Sequence, residues 1–205
     1  LFILQTRNGK RTAKAAVNIA VDMVDEGKIT KEECIARIEP KTLEQLLHPT
    51  FDENEIKKFD IISKGLPASP GAASGKIYFK AEDVVRAKEN GEKAILVRQE
   101  TSPEDIEGMV SAEGILTACG GMTSHAAVVA RGMGKCCVAG ATGIRVSEEE
   151  KIMKSGDRIY TEGDMISLDG STGTVYEGDI PKAGLNRIEN FDILMKYVDE
   201  VRTTR

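Results

Sequence analysis

Ile115-Leu-Thr-Ala-Cys-Gly-Gly-Met-Thr-Ser-His-Ala-Ala-Val-Val-Ala-Arg-Gly-Met-Gly134 is the stretch on which the fold turns. Its pattern predicts a short buried strand, Ile115 to Ala118, that runs through a glycine turn into a small-residue helix ending at Gly132 and Gly134. His125, one of two histidines in the chain, stands where that turn becomes the helix. The first turn of a helix offers unpaired backbone N–H groups and a partial positive charge, and both favour a phosphate. The same positive end disfavours a protonated ring, which leaves a nucleophilic nitrogen on a neutral one. Gly120 and Gly121 carry no Cβ, so a bulky polyphosphate can approach their backbone closely. Thr123 and Ser124 add hydroxyls that can hold phosphoryl oxygens or cap the helix. Arg131 is a candidate for neutralising a transferred phosphate. Six residues of helix are about 600° of rotation, however, so it lies off the face of His125, and a structural ion pair competes with that role. Taken alone, a histidine after Ser at a helix start is more often a surface or capping residue than a nucleophile. The groups gathered here are those that a histidine accepting a phosphoryl group would use.

Working outward, Ala94 to Arg98 and Cys136 to Ala139 read as short apolar strands, and Lys76 to Phe79 as another. Ser102-Pro103-Glu104-Asp105 starts a helix, with Pro at the favoured first position. Beyond Gly156, alternating segments with turns at Glu162-Gly163-Asp164 and Asp169 to Gly173 read as hairpins. Strands alternating with helices and followed by hairpins predict an α/β domain of three layers, β/β/α, over residues 61–178.

Residues 1–60 and 179–205 read differently. Ala16, Val17, Ala20, Val21, Met23 and Val24 recur at helical spacing, with Thr12 as N-cap and Gly27 as stop. Thr30 to Glu33 forms a capping box for a second helix, and Thr42 opens a third over Leu43 to Leu47. His48 precedes a proline, which biases it to an extended loop conformation. Phe51 to Asp60 is strongly charged and reads as a connector. In the tail, Ile188, Phe191, Leu194, Met195 and Val198 line one side of a final helix. A chain that opens on Leu1 inside an apolar pattern is expected to be a fragment of a longer enzyme.

Composition narrows the classes. The 205 residues carry 28 Lys and Arg against 33 Asp and Glu, with no basic block, which argues against nucleic acid as a partner. No apolar run is long enough to span a bilayer, and no signal-peptide pattern opens the chain. Four cysteines, two of them adjacent at Cys136 and Cys137, make no disulfide framework and fit a reducing compartment, the cytoplasm or an organelle. Cys119, Cys136 and Cys137 lack the spacing and histidine partners of a zinc site.

Gly120 to Arg131 closely resembles the phosphohistidine signature of the phosphoenolpyruvate-utilising enzymes. The resemblance implies that His125 is the catalytic residue, phosphorylated on Nε2, and that the central domain is the one this family calls swivelling. Leu4 to Thr12 resembles the closing strand of the ATP-grasp domain in the dikinase branch of the family, which implies nucleotide contacts for Gln5 and Arg7. That branch implies ATP, phosphate and pyruvate or phosphoenolpyruvate as ligands. It also implies Mg²⁺ held mainly outside this segment, ATP-grasp and barrel domains in the same chain, and a homodimer. The implied reaction converts ATP, phosphate and pyruvate to AMP, diphosphate and phosphoenolpyruvate. A phosphoenolpyruvate synthase and a non-enzymatic phosphohistidine carrier are the alternatives. In plant members the threonine two positions before the histidine is a regulatory phosphorylation target, and Thr123 occupies that position. Many dikinases carry Arg where this chain has Cys119, which weakens the phosphate-binding argument slightly and leaves His125 untouched.

Overall fold

The computed structural model describes residues 5, 13–40, 43, 46, 48–183 and 189–203. The chain divides into two compact units, Leu1–Leu47 with Leu185–Arg205, and His48–Gly184.

The described residues of the first unit are mainly helical. Helices α1 (Ala13–Asp25), α2 (Lys31–Arg37) and the final helix (Glu189–Thr203) share one apolar cluster of Val17, Val21, Cys34, Leu194 and Tyr197. Thr30 caps α2 by accepting the Glu33 N–H at 3.2 Å, as the capping-box pattern predicts. In the final helix the buried stripe falls on Leu194 and Tyr197, while Met195 is exposed. Met195 therefore stands outside the buried stripe of the apolar side expected for this helix. Tyr197 takes the inward place because its ring carries Lys31 above it and its hydroxyl donates to Asp25. Thr12 and Ile188 lie outside the described residues, as does most of the expected Leu43 to Leu47 helix.

Among the described residues the second unit holds eleven strands in two sheets. With β1 at Ile61–Lys64 and β2 at Leu66–Ser69, the larger has the order β1-β11-β10-β3-β4-β5-β6-β2, and β7-β8-β9 form the smaller. Strands β3 (Ala72–Tyr78), β4 (Ala94–Arg98), β5 (Gly114–Thr117) and β6 (Cys136–Ala139) are mutually parallel. Each crossover between them is helical: α4 (Ala81–Glu89), then α5 (Ile106–Ser111), then α6 (His125–Met133). Alternation along the strands supplies both faces of the sheet. Ala94, Leu96, Ile115, Cys137 and Ala139 pack under the helices with Val84, Met109, Ala126, Ala127 and Ala130. Ile95, Val97, Leu116 and Val138 point the other way, toward Ile144, Met153 and Tyr160 of the smaller sheet. Here β7 is Ile144–Ser147, β8 Ile152–Ser155 and β9 Arg158–Thr161. The layers are thus β/β/α.

Two expectations change. The turn at Glu162 to Asp164 does not close a hairpin; it carries the chain from β9 in the small sheet to β10 (Met165–Asp169) in the large one. The end of β3 captures that turn, because Ile77 donates to the Asp164 carbonyl and accepts from Gly163, each at 2.9 Å. The second turn does join a hairpin, β10 with β11 (Thr174–Glu177). The charged segment 51–60 is packed rather than a free connector. Asp52 caps a one-turn helix, α3 (Glu53–Ile56), while Phe51 is buried edge-on to Tyr176. The incoming and outgoing chains also pair: Asp52 donates to the Pro181 carbonyl, Ala183 to that of Thr50, and Phe51 bridges Lys182. The compact unit therefore runs past 61–178 at both ends.

Two helical glycines should respond oppositely to alanine. At Gly108 a Cβ would meet Ala81 Cα at 2.5 Å, where α5 crosses α4, whereas at Gly132 nothing lies within 4 Å. Gly108→Ala should destabilise the unit by about 1–3 kcal/mol through overpacking. Gly132→Ala should stabilise it by roughly 0.5 kcal/mol through helix propensity. Urea unfolding of the two variants checks both signs.

Candidate functional site

The parallel strands β3 to β6 all end at one edge of the large sheet, and the loops beyond them build the site, as open α/β sheets generally do. The loop after β5 carries the quoted signature. Gly120 adopts φ +102°, a conformation open to glycine, and a Cβ there would also strike Ser124 at 2.9 Å. Gly140, at the start of the loop after β6, lies so close that a Cβ on it would be 2.4 Å from the Gly120 carbonyl oxygen. Gly121 has open space above it. Ser124 is the N-cap of α6, its hydroxyl accepting the Ala127 N–H at 3.4 Å, so of its two expected roles it performs capping. Thr123 is exposed beside it.

His125 is the first residue of α6 and is half-buried. Its Nδ1 lies 2.9 Å from the hydroxyl of Thr101, in the loop after β4. A hydroxyl can donate or accept, and in the tautomer with hydrogen on Nδ1 the Thr101 oxygen accepts it. Nε2 then carries the lone pair at the helix N-terminus. Thr101 is the residue that sequence reasoning missed. Its neighbours Ser102 and Pro103 read only as a helix start, and nothing local ties position 101 to a ring 24 residues away.

Arg131 is placed differently from its expected role. Its Nη1 donates to the Ala68 carbonyl at 2.9 Å and its Nη2 to the Met122 carbonyl at 2.6 Å. The guanidinium thereby clamps the signature loop to the edge strand β2 (Leu66–Ser69). Helical rotation takes it off the His125 face, and two backbone carbonyls supply its partners. Cys119 is half-exposed and accepts a hydrogen bond from Gln99 Nε2 at 2.9 Å, while its own N–H donates to the Gln99 carbonyl. Gln5 is exposed, and Arg7 lies outside the described residues. Among the described residues no group of three or more His, Cys, Asp or Glu is placed to hold a metal ion, and no helix is long and apolar enough to cross a membrane.

Residues 90–173 match the family model described as PEP-utilising enzyme, mobile domain. That span contains Thr101, the glycine pair, Ser124, His125 and Arg131, and over it the chain is similar to the mobile domain of the PEP-utilising enzymes. Relatives that match along its length include pyruvate, phosphate dikinases. The one from Clostridium symbiosum is 58% identical over 205 residues, covering 100% of this chain and 24% of that protein. The one from Rhizobium meliloti is 54% identical over 202 residues, covering 98% of this chain and 22% of that protein. A chloroplastic form from Flaveria pringlei is 54% identical, covering 98% of this chain and 21% of that protein. The chain therefore spans less than a quarter of the length of these curated relatives.

The four thiols should separate cleanly by reactivity. Burial pushes Cys136 and Cys137 up to about 12 and raises Cys34 as well, while Cys119 is half-exposed. The thiolate is the reactive form. In native protein at pH 8, a maleimide should label Cys119 within minutes, and the other three should react only on unfolding. Peptide mapping after a timed quench reads the order.

Proposed function

We propose that this chain is the phosphoryl-carrying segment of a dikinase, with His125 Nε2 as the nucleophile. One observation carries the proposal: Thr101 engages Nδ1, so Nε2 is the nitrogen offered at a helix N-terminus. Neutral imidazole attacks phosphorus well and also leaves well, and a covalent intermediate divides one difficult transfer into easier ones. In the proposed sequence ATP pyrophosphorylates His125 and releases AMP. Inorganic phosphate then takes the terminal phosphoryl group as diphosphate. The phosphohistidine finally passes its group to pyruvate, giving phosphoenolpyruvate. The relatives' name favours phosphate over water as the second acceptor, against a synthase.

Backbone N–H groups at the start of α6, with Gly121 leaving room above them, support binding of the transferred group. Arg131 supports it indirectly by holding the loop. Thr123, exposed two residues before the histidine, is proposed as a regulatory phosphorylation site. A phosphate there would add close to two negative charges and repel the incoming polyphosphate. Mg²⁺ would neutralise the phosphates of ATP, and its ligands are assigned to other parts of the protein, together with the ATP-grasp and barrel domains and a homodimeric assembly. A reducing cytoplasm or organelle is the proposed compartment, in keeping with four free cysteines.

Half-reaction assays on the full-length protein separate these roles. His125→Ala should abolish both acid-labile labelling from β-labelled ATP and exchange between pyruvate and phosphoenolpyruvate. Gln5→Ala and Arg7→Ala should weaken only the first; equal loss in both would make those residues structural.

One fixed histidine does not reach two separated sites, because phosphoryl transfer needs near-contact, in-line geometry. We therefore assign the unit His48–Gly184 a rigid-body swing. Segments 51–60 and 179–183 pack within that unit and are assigned to move with it. A cross-link fixing the unit to the nucleotide domain should preserve AMP formation and block pyruvate exchange; survival of both would rule the swing out.

A further inference from the structure

Asp105 is 5% exposed and takes no part in the chemistry above, yet three groups converge on its Oδ2. The Ser102 N–H donates to it at 2.8 Å, the Ser102 hydroxyl lies at 3.5 Å, and Arg98 Nε stands 3.5 Å away. Arg98 is itself largely enclosed, with Nη1 in an ion pair with Glu148 Oε2 at 3.1 Å and donating to the Phe79 carbonyl at 3.2 Å. A capping carboxylate normally sits in water, where it needs no counter-charge. Burying one requires a charged partner, and Arg98, whose Nε makes no hydrogen bond, meets Asp105 as that counter-charge. Helix capping alone does not explain this arrangement.

What the pair holds still is the peptide between Thr101 and Ser102. At the other end of the same loop, the Gln99 carbonyl accepts from Cys119 N at 3.0 Å. Pro103 keeps Ser102 out of the helical region, and Ser102 sits at φ −122°, ψ 168°. Thr101 therefore lies between two anchors, and its hydroxyl meets His125 Nδ1 at 2.9 Å. The final torsion of a histidine side chain is soft and roughly two-fold. A half-turn of the ring would move Nδ1 away from Thr101 and present a different edge at the helix N-terminus.

The geometry points to Asp105 and Arg98 as a buried positioning pair that sets the orientation of the His125 ring through Ser102 and Thr101. This rests on His125 being the phosphoryl acceptor. The pair touches no substrate; it selects which ring nitrogen is offered. Through Glu148, which lies beyond the end of β7, the small sheet joins the same chain of contacts.

The test uses the 205-residue chain with potassium phosphoramidate as a small phosphoryl donor. Phosphorus NMR distinguishes Nε2- from Nδ1-phosphohistidine, and peptide mapping assigns the label. Wild type should give Nε2-phosphohistidine at His125. Thr101→Val and Asp105→Asn should each slow that product by about five- to tenfold, the scale of one lost hydrogen bond, and should release Nδ1 product. Thr101→Ser should restore the wild-type pattern. The double variant should be no slower than the slower single one, because both act through one contact. Should Asp105→Asn not unfold cooperatively, Asp105→Ser keeps a capping oxygen without the charge and is expected to show the same loss of nitrogen selectivity. Wild-type rate and selectivity in a folded Asp105 variant, or effects of Thr101→Val and Asp105→Asn that multiply, would overturn the positioning role alone. Absence of label on wild-type His125 would instead remove the nucleophile assignment, and this inference with it.

Discussion

The His125 helix meets the sheet through Ala126, Ala127 and Ala130, three side chains of a single carbon that are all but fully buried. Small side chains let a helix settle close to the strands beneath it, and Ala68, Cys137 and Ala139 answer them with small groups of their own. That seating fixes where the first turn of α6 sits at the strand ends. His125, proposed above as the nucleophile, the Ser124 cap and the first N–H groups of the helix all belong to that turn. A bulkier residue at any of the three alanines would lift the whole constellation, not one side chain.

Around this turn the strand-end loops are tied to one another largely by backbone groups. The Phe79 carbonyl, beyond β3, receives Arg98; Gln99, beyond β4, pairs with Cys119, beyond β5. Ala141, beyond β6, donates to the Thr117 carbonyl, and Gly140 rests on Gly120. Phosphoryl transfer depends mainly on positioning and on charge placed in advance, so a site whose loops brace each other suits that chemistry. Both nearby arginines are already engaged, Arg98 by two carboxylates and Arg131 by two carbonyls.

Much of this was legible in the chain because the signals are local. Ala94 to Arg98 and Cys136 to Ala139 are apolar runs whose bounds match the observed strands, and Ser before a small-residue helix announces its cap. The turn at Glu162 to Asp164 was misread because turn chemistry states that the chain reverses, not which sheet receives it. That choice belongs to Ile77, some 85 residues earlier, through contacts no local pattern encodes. The segment 51–60 misled for a related reason: its charges dominate the local view, while Phe51, Ile56 and Phe59 pack against Tyr176 and Ile180 from far along the sequence. Thr101 and the Asp105–Arg98 pair were invisible on the same grounds. Polar partners in a site are set by tertiary proximity, and Ser102-Pro103 offered a complete local explanation of its own.

The pairing of Thr50 to Asp52 with Pro181 to Ala183 brings the two ends of the phosphohistidine unit side by side. A module whose ends meet occupies no more room in a host chain than a surface loop does. It can be gained, lost or exchanged between architectures without stretching what lies on either side. The first unit, assembled from two stretches of chain separated by the whole of the second, has the topology such an insertion leaves behind.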